Sequence, residues 1–83
     1  MKDEYGYHKR KIQKGIYGNI SKVTEEVSEY IDAHEQGIRI MEMMELSDIY
    51  GALEAIAEKY QLTMDDLKKM SDSTKRAFKM EQR

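Results

Sequence analysis

The sequence contains no cysteine, no proline and no tryptophan, and it has a single phenylalanine in 83 residues. Without cysteine, neither disulfide bonds nor cysteine–histidine zinc sites can form within this chain, and a reducing cytoplasm is the expected compartment. Without proline, the residue that most strongly interrupts helices is missing. No apolar run approaches the roughly 20 residues of a membrane helix, and the N-terminus is polar rather than typical of a signal peptide. We therefore expect one small helical domain with no membrane partner.

Acidic and basic residues are distributed unevenly along the chain. Residues 21–58 carry ten acidic and two basic residues, whereas both flanks are net basic. An acidic middle suits a bound cation, and basic flanks suit a polyanionic substrate, although ordinary solvated helix faces explain the flanks equally well. The acidic middle would repel a phosphate backbone, so a nucleic-acid partner is not expected.

Apolar residues recurring at three- and four-residue steps predict three helices. The period of the first appears from about Gly15, although its two glycines favour a start nearer Asn19 or Ser21, and it ends between His34 and Gly37. The second spans about residues 38–60 and the third about residues 64–80. Gly37 is a predicted C-terminal cap, and Thr63 with Asp66 resembles a capping box. We expect an N-terminal arm over residues 1–14 and a helical domain over residues 15–83. The expected fold is all-α, a three-helix antiparallel unit with this arm. Because a core of this length is marginal, we expect a homodimer or homotetramer to complete the helical bundle.

Several side chains are expected to face the core. The predicted inward residues are Ile16, Ile20, Val23, Val27, Tyr30 and Ile31 in the first helix and Leu67, Met70, Thr74, Ala77 and Phe78 in the third. Gly51 interrupts the second helix, and close helix packing is the favoured explanation over room for a ligand. The arm's Tyr5-Gly6-Tyr7-His8 run is interpreted as a docked terminus, with stacking on a base or contact with a partner subunit as the alternative. His8 alone is too weak a signal for a catalytic base.

Two pairs of carboxylates stand out. Glu26 and Glu29, and likewise Glu45 and Asp48, have the i, i+3 spacing that places both acids on one helix face. On a helical projection Glu45 and Asp48 fall inside the apolar arc of the second helix. A buried carboxylate is costly unless it is protonated, paired or bound to a metal. Salt bridges to Lys22 or Arg39 are the alternative; the two matched pairs favour a site for a hard divalent cation.

The order Glu25-Glu26-x-x-Glu29, a gap, and Glu45-x-x-Asp48 resembles the all-α nucleoside triphosphate pyrophosphohydrolases, which are the MazG-like proteins with their dimeric dUTPase and phosphoribosyl-ATP pyrophosphohydrolase relatives. The resemblance covers about residues 15–80. It implies a nucleotide substrate cleaved to monophosphate and pyrophosphate. It also implies Mg²⁺, with Mn²⁺ as an alternative. The implied metal ligands are Glu26, Glu29, Glu45 and Asp48.

The resemblance places Glu25 beside the first ligand, Glu26, where it would serve as a base or orient the ligands, so these two residues are the catalytic candidates. Lys68, Lys75 and Arg76 are substrate-binding candidates by charge only. The family unit usually has four helices, and a second copy would supply the missing wall. The competing hypothesis is a non-catalytic helical module that oligomerises or binds a partner protein.

Overall fold

The computed structural model describes residues 6–80, which form three α-helices and no strand. Helix α1 spans Ile20–Gln36, α2 spans Arg39–Lys59 and α3 spans Met64–Lys79. The all-α prediction is therefore confirmed, and each helix lies close to its expected bounds. None of the described helices is long and apolar enough to cross a membrane. Residues 1–5 of the predicted arm and residues 81–83 of the predicted domain lie outside the described residues.

The helix ends are capped, and two of the caps, Gly37 and the Thr63–Asp66 box, are those that the sequence predicts. The Asn19 side chain accepts a hydrogen bond from the Ser21 N–H at 2.8 Å, at the start of α1. Gly37 ends α1 in the left-handed conformation, with φ 73°, and donates its N–H to carbonyls of the last turn. Thr63 and Asp66 form the reciprocal bonds of a capping box. Local chemistry therefore sets these boundaries.

Helices α1 and α2 pack as an antiparallel hairpin. Near the connection, His34 Nδ1 lies 3.2 Å from Glu42 Oε1. Further along, Glu29 forms a hydrogen bond with Glu45, and Glu26 and Asp48 line the same cleft. Numbers of the facing residues fall on α1 as they rise on α2, which is the antiparallel register. This register brings the two carboxylate pairs of the sequence to the same level of the hairpin.

The hairpin buries acids where larger apolar side chains were expected. Its buried hydrophobic residues are all alanines, namely Ala33, Ala52, Ala55 and Ala57. Several members of the predicted α1 stripe are exposed instead, including Ile16, Ile20, Val27 and Ile31. The face of α1 that meets α2 carries Glu26 and Glu29, and these four apolar side chains point elsewhere. The prediction that they face the core was wrong, whereas Val23 and Tyr30 of the same stripe are half-buried.

Helix α3 contributes little to the packing. It has no buried residue, and it barely contacts α1 or α2. Met70 and Phe78, expected to face inward, are each 62% exposed. The helix is amphipathic all the same, so its apolar side is left largely open to solvent within one copy of the described chain.

Candidate metal centre

Four carboxylates from α1 and α2 converge on one point. Glu26, Glu29, Glu45 and Asp48 each offer one oxygen, and these oxygens all lie within 4.8 Å of one another. Glu45 is fully buried and Glu26 is 6% exposed, whereas Asp48 lies at the exposed edge. The one-turn spacing within each pair and the antiparallel register together account for the convergence. The structure thus brings together all four predicted ligands.

Two oxygens of this group are buried without a hydrogen-bond partner among the described residues. They are Glu26 Oε1 and Glu45 Oε1. A buried charged oxygen with no partner costs several kcal/mol in order-of-magnitude terms, and a cation removes that cost. Carboxylate oxygens are the donors that Mg²⁺ and Mn²⁺ prefer. The residues present therefore fit a hard divalent cation.

The electrostatics of the cluster favour protons in the absence of a cation. Burial, the charge of Glu26 and a hydrogen bond with Glu45 raise the pKa of Glu29 to about 8. Burial and the neighbouring charge of Glu45 also raise the pKa of Asp48. These are the shifts that like charges produce when they share a poorly solvated site. A divalent cation would displace protons here.

Glu25 lies outside this group. Its carboxylate accepts the Gly15 N–H at 2.8 Å and lies 3.1 Å from Lys22 Nζ and 3.6 Å from Lys14 Nζ. Burial acts to raise the pKa of Glu25, but these contacts outweigh it and hold the pKa below its ordinary value. A Cβ on Gly15 would lie 2.2 Å from the Ser21 carbonyl oxygen, so only glycine allows this approach. Glu25 anchors the segment that precedes α1, and its catalytic role stays a prediction.

Lys22 connects the anchor to the cluster. Its Nζ lies 3.1 Å from Glu26 Oε2 as well as from Glu25 Oε1, and these two hydrogen bonds raise the pKa of Lys22. Part of the salt-bridge alternative therefore holds for Glu26. It does not hold for the fully buried Glu45, which pairs with neither Lys22 nor Arg39 and whose Oε1 has no hydrogen-bond partner among the described residues.

The N-terminal segment reaches the cluster, which the sequence did not indicate. The Tyr7 hydroxyl donates to Glu45 Oε2 at 2.7 Å, and this bond, followed by burial, raises the pKa of Tyr7 to about 12. His8 is 8% exposed and lies 3.6 Å from Glu45 Oε2 and 3.7 Å from Glu29 Oε1. A docked terminus was expected. The interaction of His8 with residues more than twenty positions away had no local sequence signal.

The basic candidates of α3 lie apart from the cluster. Lys68 and Lys75 each lie 3.4 Å from Asp72 on the same helix, and their charges lower the pKa of Asp72. Arg76 is exposed in the last turn. None of the three lines the cleft beside Glu26 and Asp48, so their role in substrate binding stays a prediction.

A cleft of about 400 Å³ adjoins the cluster, and we call it the Tyr17 cleft. Its lining residues are Tyr17, Lys22, Glu26, Ser47, Asp48, Gly51 and Ala52. Gly51 was expected to allow close helix packing, but a Cβ there would meet no neighbouring atom within 4 Å. That expectation was wrong. The glycine faces open space at the cleft.

Gly51→Ala is expected to raise the free energy of unfolding by up to about 1 kcal/mol, because alanine is the better helix former and nothing obstructs its methyl group. Urea unfolding of the two proteins measures this difference. Gly37→Ala is the opposing control, since φ 73° penalises a side chain and should lower the unfolding free energy. A destabilised Gly51→Ala protein would contradict the open geometry.

The resemblance of the carboxylate pattern to one enzyme family rests on the order and spacing of the acids alone. Searches of protein-family models, of curated proteins and of solved structures find no match for this chain, so the resemblance stays a prediction.

Proposed function

We propose that this chain is a Mg²⁺-dependent nucleotide pyrophosphohydrolase that cleaves a nucleoside triphosphate to a monophosphate and pyrophosphate. The observation that carries the proposal is the group of four converging carboxylates, two of them with buried, unpartnered oxygens, beside an open cleft. The order of these acids in the sequence, which resembles the MazG-like enzymes, supplies the reaction class.

In this proposal Glu26, Glu29, Glu45 and Asp48 hold the cation. Mg²⁺, or Mn²⁺ in its place, would supply Lewis-acid activation of water and would neutralise phosphate charge when bound by these residues. The water oxygen adds to one phosphorus of the α–β bridge, the bridging P–O bond breaks, and pyrophosphate and the monophosphate leave. Glu25 is the proposed proton acceptor, which requires its ion pairs with Lys14 and Lys22 to open.

The Tyr17 cleft is the proposed nucleotide site. Lys22 Nζ already lies among carboxylates at its wall and can share its protons with a phosphate. Tyr17 is 73% exposed at the cleft, which leaves its ring free to stack on a base. Lys68, Lys75 and Arg76 are retained as further phosphate contacts by charge. The nucleobase stays open, because a stacking ring accepts every base.

A homodimer or homotetramer is part of the proposal. The described chain leaves large apolar side chains exposed on all three helices, and its own buried apolar residues are only alanines. A second copy would cover these faces and complete a bundle. The cytoplasmic location expected from the missing cysteines also belongs to this proposal.

The direct test is pyrophosphate release from a panel of canonical and modified nucleoside triphosphates, with Mg²⁺ or Mn²⁺ and with EDTA as the control. Release that needs the cation and is lost in Glu45→Gln supports the proposal. The proposal would be contradicted if no nucleoside triphosphate of the panel released pyrophosphate and Mg²⁺ did not raise the melting temperature.

The same exposed apolar faces favour the second candidate, a non-catalytic module that oligomerises or binds a partner protein. In that case the acids would be charges without a ligand, and thermal stability would be indifferent to Mg²⁺. A Mg²⁺-induced rise in melting temperature without hydrolysis would show that the metal centre exists but that the panel lacks the substrate or the chain lacks the activity.

A further inference from the structure

His8 is held at the α1–α2 interface by several contacts of the N-terminal segment. The Lys9 N–H donates to both Asp32 oxygens at 3.2 Å, and Gln36 Nε2 donates to the Tyr7 carbonyl at 3.0 Å. With the Tyr7–Glu45 bond, these contacts fix the backbone on both sides of the imidazole. The position of His8 is therefore built into the docked segment and does not depend on one side-chain contact.

Asp32 determines which ring nitrogen of His8 faces the cluster. Asp32 is 1% exposed, and its Oδ2 lies 2.8 Å from His8 Nδ1. Both oxygens of Asp32 already accept hydrogen bonds, from the Lys9 N–H and, at Oδ2, from Gln36 Nε2. An ionised carboxylate only accepts, so Nδ1 is the donor. In the neutral imidazole, the lone pair of Nε2 then faces Glu29 and Glu45.

In many metal sites, a ligating histidine donates its other ring N–H to a carboxylate. The carboxylate then fixes the tautomer and the orientation of the imidazole. One ligand atom from each of His8, Glu29 and Glu45 falls within 4.8 Å of the others, and Glu29 and Glu45 also belong to the four-carboxylate group. The buried Glu45 has, in addition, the unpartnered Oε1. A cation bound by these carboxylates thus has a nitrogen donor within reach.

We propose that His8 Nε2 is a nitrogen ligand of the cation held by Glu29 and Glu45, with Asp32 as its positioning residue, and that the site prefers a divalent transition metal to Mg²⁺. The inference rests on the proposed function, since it uses two of its carboxylates, and it specifies the class of cation. Imidazole favours transition metals, whereas Mg²⁺ favours oxygen ligands. A mixed nitrogen and oxygen site therefore shifts selectivity away from Mg²⁺.

The first test leaves every residue of the proposed site unchanged. The chain has two histidines, and His34→Asn leaves His8 as the only one. Mn²⁺ bound to this variant, prepared with ¹⁵N-labelled histidine, should give a ¹⁵N hyperfine coupling in pulsed EPR. Mn²⁺ that binds without any nitrogen coupling would overturn the inference, and this measurement does not depend on a variant at the site.

Selectivity provides the second test, by calorimetric titration of Co²⁺ and of Mg²⁺ alone. His8→Asn should weaken Co²⁺ binding by at least about 10–100-fold and should weaken Mg²⁺ binding much less. Mutation of a residue that only hydrogen-bonds to a metal ligand already lowers metal affinity by about this range. His34→Asn is the matched control and should bind both metals like the wild type, because His34 contacts Glu42 and neither residue belongs to the groups of potential metal ligands. Asp32→Asn should lower the Co²⁺ preference in part.

The outcomes distinguish the two proposals. Wild-type protein that binds both metals, with an unchanged Co²⁺ to Mg²⁺ ratio in His8→Asn, would overturn the role of His8 and leave the carboxylate centre of the proposed function intact. His8 would then be only an ion-pair partner of the acids. Wild-type protein that binds neither metal would overturn both proposals.

Discussion

Glu45→Gln is expected to abolish cation-dependent hydrolysis and at the same time to stabilise the metal-free protein. Glu45 is fully buried, faces Glu29 and Asp48, and has an oxygen without a partner among the described residues. Glutamine has the same shape and keeps an oxygen that can accept the Tyr7 hydroxyl bond. The substitution removes a negative charge that would bind the cation. It also removes the repulsion between this charge and the neighbouring carboxylates in the metal-free protein.

The expected size of each effect follows from the burial. Loss of a direct ligand should lower the rate by more than the roughly 10–100-fold typical of a lost outer partner. Relief of a buried, unpartnered charged oxygen should raise the unfolding free energy by roughly 1–3 kcal/mol. Pyrophosphate release and urea unfolding in EDTA measure the two effects on the same samples.

Glu54→Gln is the control, because Glu54 is an exposed acid on the same helix. It should change neither the rate nor the unfolding free energy appreciably. Wild-type rates in Glu45→Gln would show that the carboxylate cluster is not the reaction centre. A destabilised Glu45→Gln protein would show that the buried charge is already compensated.

The metal-free protein is expected to lose stability as the pH rises from about 5 to about 8. The pKa of Glu29 is raised from 4.5 to about 8, so in this window the folded chain holds a proton that the unfolded chain has released. Unfolding free energy then falls with pH and levels off above about 8. The raised pKa of Asp48 acts in the same direction. Urea unfolding in EDTA at several pH values measures the slope.

The lowered pKa values of Glu25 and Asp32 affect stability in a more acidic pH range. Each contributes stability above its ordinary pKa, and that stability is lost only as the pH falls through the lowered value. Glu29→Gln should therefore make the unfolding free energy less dependent on pH between pH 5 and 8, while the loss of stability at acidic pH remains. Mg²⁺ should also reduce this dependence, because a cation replaces the shared proton. An equally steep profile in Glu29→Gln would assign the slope to other groups.

Sequence was sufficient for the local features of this protein. The Asn19, Gly37 and Thr63–Asp66 caps depend on residues within a few positions of one another, so the helix bounds could be predicted closely. The convergence of the four carboxylates was also predictable. It needs only the i, i+3 spacing of each pair and an antiparallel hairpin that a two-residue connection imposes.

Solvent exposure was not predictable in the same way. The apolar period of α1 correctly predicted a helix but not the face that meets α2, because the hairpin places Glu26 and Glu29 at the interface. Gly51 is compatible with close packing and with open space, and only its neighbours in three dimensions distinguish the two. The apolar period indicates that a helix has an apolar and a polar face. It does not indicate which other segment packs against each face.

By itself, the sequence determined three helices, their caps and a set of acids able to hold a hard cation. Tertiary structure alone decided that His8 joins those acids, since its contact with Asp32 spans 24 residues and has no local pattern. It also decided which oxygens are buried without partners. The physical reason is that caps and side-chain spacing are properties of one helical turn, whereas burial and long-range contacts depend on how separate segments pack.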